Sequence, residues 1–251
     1  MRIATWNTGG ERWYSRTRGT RYYRALFGAS PDIICLQEVP NPAAIRGYAA
    51  DYTLVAAPAP GYTNSSFNHN LILTRSPARE TGEISFPHMD DAGGYERVLW
   101  VDVAFGRATL RVYNCHLRIV RAGPAERLQQ LRVILDHAAK HHGPAIICGD
   151  MNTAGEVAGI AQWFIPRYYH WPARANESER SVFSATANTE GFQEALPLDT
   201  PTWIVPYLRQ PFMNLKLDWC LFKGLRPTHA RAVTLGSDHR AIIVDAAPSG
   251  E

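Results

Sequence analysis

The chain has 251 residues, of which 45% are hydrophobic and 20% charged, with a formal net charge of +3. This composition is that of an ordinary globular protein with ample core, and the mild positive charge is compatible with a polyanionic partner without requiring one. No uninterrupted apolar stretch approaches the roughly 20 residues of a membrane span. Because the first residues also lack the apolar segment of a secretory signal, we expect a cytoplasmic protein with no membrane span.

Eight apolar runs predict β-strands. In chain order they cover Arg2–Trp6, Asp32–Leu36, Leu71–Thr74, Val98–Ala104, Leu110–Leu117, Ala145–Cys148, Leu217–Phe222 and Ala241–Val244. The spacing of apolar residues between these runs predicts helices over Arg21–Phe27, after Pro124 and over Val157–Phe164. Residues 166–214, rich in proline and aromatic side chains, are expected to form long loops. Since no repeat or linker divides the sequence, we expect residues 1–251 to form a single domain.

Four cysteines lie inside these apolar runs, at Cys35, Cys115, Cys148 and Cys220. None belongs to a CxxC pair, and together they lack the spacing of a zinc site. We therefore expect buried free thiols that act as small hydrophobic residues, a pattern that suits a reducing compartment.

Polar residues stand at one end of six predicted strands. The C-terminal ends of four strands carry Asn7, Glu38, Asn114 with His116, and Asp150 with Asn152. The N-terminal ends of two strands carry Asp218 and the pair Asp238-His239. If these two strands run antiparallel to the other four, all of the polar groups meet at one edge. Such a convergence argues against an eight-stranded parallel barrel, which gathers catalytic groups at C-terminal strand ends only. It favours a sandwich of two sheets flanked by helices.

The chemistry of these side chains predicts a metal site with a positioned water. Glu38, Asp238 and Asn7 offer oxygen donors without thiolate or imidazole, which suits Mg²⁺ or Mn²⁺ better than zinc. Asp150 and Asn152 are two positions apart, so an extended chain directs both to the same side, where they could hold and deprotonate a water. An ordinary polar turn is the alternative for this pair, because Asp and Asn often bond their own backbone.

The histidines add hydrogen-bond donors to this set. Asp218 could orient the imidazole of His239, and His116 could supply a second donor. A metal, a positioned water and imidazole donors are the parts that phosphate-ester hydrolysis needs, because negative charge grows on the phosphoryl oxygens.

Six short motifs occur in one order along most of the chain. They are TWN at 5–7, LQE at 36–38, NCHL at 114–117, GDMN at 149–152, LDW at 217–219 and SDHR at 237–240. In this set and order the sequence resembles the endonuclease/exonuclease/phosphatase superfamily. The resemblance implies an α/β fold, a four-layer α/β/β/α sandwich of two mixed β-sheets flanked by helices. It also favours a functional role for GDMN over an ordinary turn.

The resemblance also implies a role for each matching position. Glu38 is the expected main metal ligand, helped by Asn7 and Asp238. Asp150 is expected to activate or orient the attacking water, with Asn152 beside it.

Two further roles follow from the same resemblance. His239, held by Asp218, is expected to contact the scissile phosphate. His116, with Asn114 nearby, is expected on the phosphate or leaving-group side.

The sequence departs from the abasic-site endonucleases of the superfamily at two motifs. Those enzymes carry an acidic residue and glycine where this chain has Thr8-Gly9, and a tyrosine-containing motif where it has NCHL. These differences argue against a role in abasic-site repair.

The function implied is that of a monomeric, Mg²⁺- or Mn²⁺-dependent phosphodiesterase, with nucleic acid as the first substrate class. A hydrolase of lipid phosphates, inositol phosphates or other small phosphoesters is the alternative. A non-catalytic binding module on the same scaffold is disfavoured, because the set of acids, amides and histidines is intact.

Two surface features bear on substrate binding. Five arginines between Arg12 and Arg24 either line a groove for a phosphodiester backbone or form an ordinary solvated helix face. An aromatic cluster between Trp163 and Trp171 could stack bases, but packing beneath a long loop is the favoured interpretation.

Overall fold

A computed structural model describes residues 1–9, 16–40, 42–57, 69–86, 97–117, 124–153, 179–204 and 215–249. Within these ranges the strands are β1 (Arg2–Asn7), β2 (Ile33–Val39), β3 (Thr53–Ala57), β4 (His69–Thr74), β5 (Ala78–Ser85), β6 (Arg97–Phe105), β7 (Ala108–His116), β8 (Ala145–Asp150), β9 (Gln193–Glu194), β10 (Asp218–Lys223), β11 (Leu225–Thr234) and β12 (Arg240–Pro248). The helices are α1 (Arg16–Gly28), α2 (Pro42–Ile45), α3 (Pro124–Ala139) and α4 (Glu179–Thr189).

The strands form two mixed sheets of six strands each. The first sheet has the order β11-β12-β1-β2-β4-β3, and the second has the order β5-β6-β7-β8-β10-β9. The pairs β1–β2 and β7–β8 are parallel. The strands β12 and β10 run antiparallel to β1 and β8 respectively. These directions confirm the prediction that the polar strand ends meet at one edge of the sandwich, which we call the site edge.

Alternation along the strands builds three apolar layers. In β2, Ile33 and Cys35 belong to the cluster between the two sheets, whereas Ile34 and Leu36 belong to the cluster beneath α1. A third cluster covers the outer face of the second sheet and includes residues of α3 and α4. Strands buried on both faces are apolar throughout, which is why they stood out in the sequence as continuous runs. The predicted sandwich with helices on both outer faces is confirmed.

The strands missed by the sequence analysis are short or lie at sheet edges. β5 and β11 are edge strands with many exposed polar residues, a usual protection against edge-to-edge pairing. They therefore lack the apolar run on which the strand predictions depended. The eight predicted strands are present with ends shifted by a few residues.

The expectation of loops alone over residues 166–214 was wrong, because α4 and β9 lie within it. Phe183 and Ala187, four positions apart, form the buried face of α4. The helix predicted over Val157–Phe164 lies outside the described residues. All four cysteines are buried and free, as predicted. None of the described helices is long and apolar enough to cross a membrane.

Candidate active site

Both sheets deliver polar side chains to the site edge. The first sheet supplies Asn7 from β1, Glu38 from β2 and the Asp238-His239 pair at the start of β12. The second sheet supplies His116 from β7, Asp150 with Asn152 at the end of β8, and Asp218 from β10. Most of these side chains are buried. The candidate site therefore lies between the two sheets, and its geometry depends on how they are held together.

A β-bulge directs Glu38 into this space. Leu36 pairs with Leu71 and Val39 with His69, so Gln37 and Glu38 together face a single residue of β4. Leu36 and Val39 both pack in the cluster beneath α1, so the extra residue resets the alternation and frees Glu38 from that outer face. The φ angle of Glu38 is +51°, a left-handed conformation that is uncommon outside glycine. Bulges of this kind re-aim side chains next to active sites.

Asn7 joins the two carboxylates nearest to the bulge. Its Nδ2 donates to Glu38 Oε1 at 3.2 Å and to Asp150 Oδ2 at 2.8 Å. Its Oδ1 accepts a hydrogen bond from the backbone N–H of Gly9 at 2.9 Å. Asn7 thus presents its amide nitrogen to the two carboxylates, and the ligand role expected for it from the sequence remains a prediction.

His116 completes a cluster that can hold a metal ion. Its Nε2 lies 3.6 Å from Glu38 Oε1 and 3.8 Å from Asp150 Oδ2. This nitrogen is buried and has no hydrogen-bond partner among the described residues. One ligand atom from each of the three residues lies within 4.8 Å of the others. Two carboxylates and an unpartnered nitrogen at this spacing fit a divalent cation, and the carboxylates suit a hard ion.

Asp238 lies outside this cluster. Its Oδ2 accepts a hydrogen bond from Trp203 Nε1 at 3.0 Å, and its Oδ1 is buried without a hydrogen-bond partner in the described part of the chain. The two groups of residues in the described ranges whose ligand atoms share a 4.8 Å neighbourhood do not include it. A ligand role for Asp238 remains a prediction.

The GDMN segment is both a turn and part of the site. Gly149 has a φ angle of +129°, and a Cβ there would collide with the backbone of Cys115 on β7, so only glycine permits this close approach. Asn152, with φ of +53°, turns the chain out of the strand. Its backbone N–H donates to Asp150 Oδ1 at 2.9 Å, and its Nδ2 donates to the carbonyl of Leu117 at 2.8 Å. The extended arrangement considered for Asp150 and Asn152 is therefore not the one adopted.

Burial raises the pKa of Asp150, and the negative charge of Asp218 adds to this rise, although His239 and His116 oppose it. A carboxylate with a raised pKa is a stronger base, closer to the range useful for proton abstraction near neutral pH.

His239 and Asp218 form the predicted pair. The two oxygens of Asp218 lie 2.9 and 3.2 Å from His239 Nδ1, and His239 Nε2 lies 3.8 Å from Asp150 Oδ2. Burial alone would lower the pKa of His239, but the two carboxylates outweigh it and raise the pKa to about 10. The ring is therefore an imidazolium at neutral pH, a cation directed toward the centre of the site.

Asn114 lies beneath the site rather than at its surface. Its side chain is fully buried, and both of its polar atoms are engaged. Nδ2 donates to the carbonyls of Leu36 and Leu71, each at 2.9 Å, and Oδ1 accepts from Gln37 Nε2 at 2.6 Å. These partners leave Asn114 in contact with the opposite sheet instead of with the phosphate or leaving-group side expected from the sequence.

The sequence analysis missed two hydroxyl groups that hold the His239–Asp218 pair. Thr202 Oγ1 accepts a hydrogen bond from the backbone N–H of Asp218 at 2.8 Å. Ser237 Oγ donates to the carbonyl of Asn7 at 2.8 Å and accepts from the N–H of His239 at 2.8 Å. Ser237 belongs to the SDHR motif, so its position was a usable signal. Thr202 lay in a region expected to be loop, and no signal marked it.

The surface features are only partly described. Arg21 and Arg24 of the arginine cluster are exposed on α1, which agrees with either interpretation of that cluster. The aromatic cluster between Trp163 and Trp171 lies outside the described residues.

Comparison with known proteins places the fold and the motifs in one family. The chain is 29% identical to tyrosyl-DNA phosphodiesterase 2 of Bos taurus over 157 residues, which are 59% of this chain and 40% of that protein. The chain thus spans about two fifths of the length of the curated relatives that it matches. A solved endonuclease/exonuclease/phosphatase from Bacteroides vulgatus superposes with a TM-score of 0.74 at 15% identity, covering 99% of this chain and 98% of the other.

A further likeness is to D. rerio TDP2 complexed with a single-strand DNA product, with a TM-score of 0.67 at 21% identity and 98% of each chain covered. At these identities the solved structures show a common fold. The family model for "Endonuclease/Exonuclease/phosphatase family" matches residues 4–239. The family's description names endonucleases, exonucleases and phosphatases, the class of enzyme that the sequence predicted. The chain belongs to the Endonuclease/Exonuclease/phosphatase family.

Proposed function

We propose that this protein is a Mg²⁺- or Mn²⁺-dependent phosphodiesterase that cleaves nucleic acid, with DNA as the favoured substrate. One observation carries the proposal. The Glu38–His116–Asp150 cluster and the Asp150–Asp218–His239 cluster share Asp150, so a cation site and an imidazolium face the same carboxylate across a few ångströms. This arrangement serves a reaction in which negative charge develops on a phosphate between them.

Glu38 and Asp150 would hold the ion, with His116 facing the same space. A bound divalent ion would neutralise charge on the phosphoryl oxygens. The pairing of Asn7 with both carboxylates keeps them in place, since its Nδ2 bridges Glu38 and Asp150.

Asp150 and His239 handle the water and the phosphate. Asp150, which belongs to both clusters, orients the attacking water and accepts its proton. His239, held by Asp218, donates a charge-assisted hydrogen bond to a phosphate oxygen. The imidazolium remains charged through the neutral range because its pKa is about 10.

The choice of DNA is supported by the relatives. The curated match is named tyrosyl-DNA phosphodiesterase 2, and one structure with the same fold is described with a single-strand DNA product. The net charge of +3 is compatible with a polyanion. The proposal includes a monomeric enzyme in the cytoplasm, as expected from the sequence.

A substrate panel with Mg²⁺ or Mn²⁺ tests the proposal. It contains single-stranded DNA, plasmid DNA, RNA, an oligonucleotide joined to tyrosine through a phosphodiester, sphingomyelin, inositol phosphates and bis-p-nitrophenyl phosphate. Cleavage of a DNA substrate in preference to lipid and inositol phosphates is the expected result. Hydrolysis of a lipid or inositol phosphate with nucleic acids untouched would overturn the substrate assignment while leaving the metal chemistry in place.

A further inference from the structure

Asn114 and Gln37 form a polar contact inside the otherwise apolar layer between the sheets. Both side chains are fully buried, although neighbouring positions on the same strands, Cys35 and Val112, belong to the apolar inter-sheet cluster. Gln37 Nε2 donates to Asn114 Oδ1 at 2.6 Å and to Thr5 Oγ1 at 3.1 Å. We call the Gln37–Asn114 pair the inter-sheet clasp. It joins β2 of the first sheet to β7 of the second.

The clasp lies at the bulge that directs Glu38. Leu36 and Leu71 are the last regularly paired residues of β2 and β4 before the bulge. Asn114 Nδ2 donates to the carbonyl oxygens of both, each at 2.9 Å. A side chain of the second sheet therefore holds two strands of the first sheet at the point where their ladder becomes irregular. Glu38, two residues after Leu36, takes its direction from that point.

The stability of the fold does not by itself explain why Gln37 and Asn114 occupy an otherwise apolar layer. Gln37 Oε1 is buried without a hydrogen-bond partner among the described residues, and an unsatisfied buried acceptor is unfavourable for folding. An apolar side chain of similar length at position 37 would avoid that cost. What the amide provides is a directional contact to Asn114, and apolar packing does not supply such a contact.

We infer that Gln37 and Asn114 are positioning residues, which fix Glu38 of the first sheet relative to Asp150 and His116 of the second for metal binding. The inference rests on the proposed function in taking this cluster as the metal site. The separation of 3.6 Å between Glu38 Oε1 of the first sheet and His116 Nε2 of the second leaves little tolerance for sliding of one sheet over the other. The clasp opposes such sliding directly beneath the ligands.

Calorimetric titration of the 251-residue chain with Mn²⁺ tests this role without using activity. Asn114→Leu keeps the approximate size of the side chain and removes every hydrogen bond between the side chain of residue 114 and the first sheet. Its Mn²⁺ dissociation constant is expected to rise about 10- to 100-fold, the usual consequence of losing a group that supports a metal ligand. The matched control is Glu179→Gln, which disturbs a buried ion pair between α3 and α4. The control is expected to lose stability and to bind Mn²⁺ as the wild type does.

Gln37→Met is the second variant, in case Asn114→Leu does not fold. It keeps the length of the side chain, and weaker Mn²⁺ binding with little change in melting temperature is expected. Wild-type affinity in a folded clasp variant, or an equal loss of affinity in Glu179→Gln, would overturn the positioning role alone. A wild-type protein that binds no Mn²⁺ would instead overturn the proposed metal site, and the clasp inference with it.

Discussion

Two regions of the molecule bury charge, and they do so differently. Between α3 and α4, Arg127 Nε and Nη2 bind the two oxygens of Glu179 at 2.7 and 2.9 Å, so one positive group meets one negative group in bidentate geometry. At the site edge, the carboxylate of Asp150 lies close to that of Glu38 in one cluster and to that of Asp218 in the other, with the His239 imidazolium in the second cluster. His116 Nε2 has no hydrogen-bond partner in the described ranges. The ion pair between α3 and α4 matches one positive group with one negative group, whereas carboxylates outnumber cations at the site.

The two regions differ in what their buried charges do. Those between α3 and α4 stabilise the fold, and those at the site edge create the conditions for catalysis. A satisfied ion pair needs no further partner, and breaking it exposes the cost of an isolated buried charge. At the site, burial raises the pKa of Asp150 and the charge of Asp218 adds to this rise, while the surplus carboxylate charge gives the site an affinity for cations. Perturbed groups of this kind mark functional sites more often than structural ones.

The largest expected effect is the loss of the site base. Asp150→Asn keeps the shape of the side chain and removes the charge that accepts a proton from water. Such a loss typically lowers kcat about 10²- to 10⁴-fold, or about 3–5.5 kcal/mol of barrier. The measurement is steady-state hydrolysis of bis-p-nitrophenyl phosphate by folded protein. More than roughly a tenth of wild-type kcat would contradict the assignment, given the usual size of general-base catalysis.

Mutation of the ion pair between α3 and α4 should have the opposite effect, a loss of stability without a loss of activity. Glu179→Gln removes the carboxylate charge that binds the buried guanidinium of Arg127 in bidentate geometry, so the free energy of unfolding should fall by about 3–5 kcal/mol. Urea denaturation measures this loss, and kcat per folded molecule should stay at the wild-type value. A Glu179→Gln variant that kept its stability and lost kcat would contradict the structural role assigned to this ion pair.

A smaller effect is expected from neutralising one metal ligand. Glu38→Gln should have a melting temperature in chelator close to that of the wild type. Because a ligand that binds only the folded state stabilises it, by about 2.7 kcal/mol at one hundred times its dissociation constant, Mg²⁺ should raise the melting temperature of the wild type. The variant should need much more Mg²⁺ for the same rise. Identical titrations of the two proteins would rule out Glu38 as the main ligand.

The smallest effect is expected at a surface ion pair. Its comparison with the buried pair between α3 and α4 shows how much more stability is lost when a buried pair is broken. Arg2 Nε binds Asp245 Oδ1 at 2.8 Å with both side chains partly exposed, and this hydrogen bond lowers the pKa of Asp245. A lowered folded-state pKa contributes stability above the ordinary carboxyl pKa, and the contribution is lost as pH falls through the folded value. Asp245→Asn should therefore be slightly less stable than wild type at neutral pH. The difference should vanish in strong acid, as thermal melts across pH can show, and a gap that persisted there would argue against the charge as its source.

The sequence predicted the layers and the meeting of strand ends because both follow from local patterns. Apolar runs marked the strands buried on both faces, and the positions of Asp218 and His239 at strand starts indicated reversed directions. The confirmed topology brings these groups to one edge for that reason.

The finer geometry could not be predicted, because it depends on contacts between distant segments. The left-handed turn at Glu38 occurs where Asn114 of the other sheet binds the strand carbonyls. The pKa of His239 depends on carboxylates from β8 and β10. Thr202 supports Asp218 from a segment that contained no pattern of its own.

The most direct test of the central claim is the metal dependence of phosphodiester hydrolysis. The protein is stripped with a chelator, assayed on bis-p-nitrophenyl phosphate and single-stranded DNA, and assayed again after addition of Mg²⁺ or Mn²⁺. We predict that the stripped protein is inactive, that either ion restores hydrolysis, and that Glu38→Gln needs more of it. Hydrolysis that continued undiminished in chelator, or that no divalent ion restored, would contradict the account.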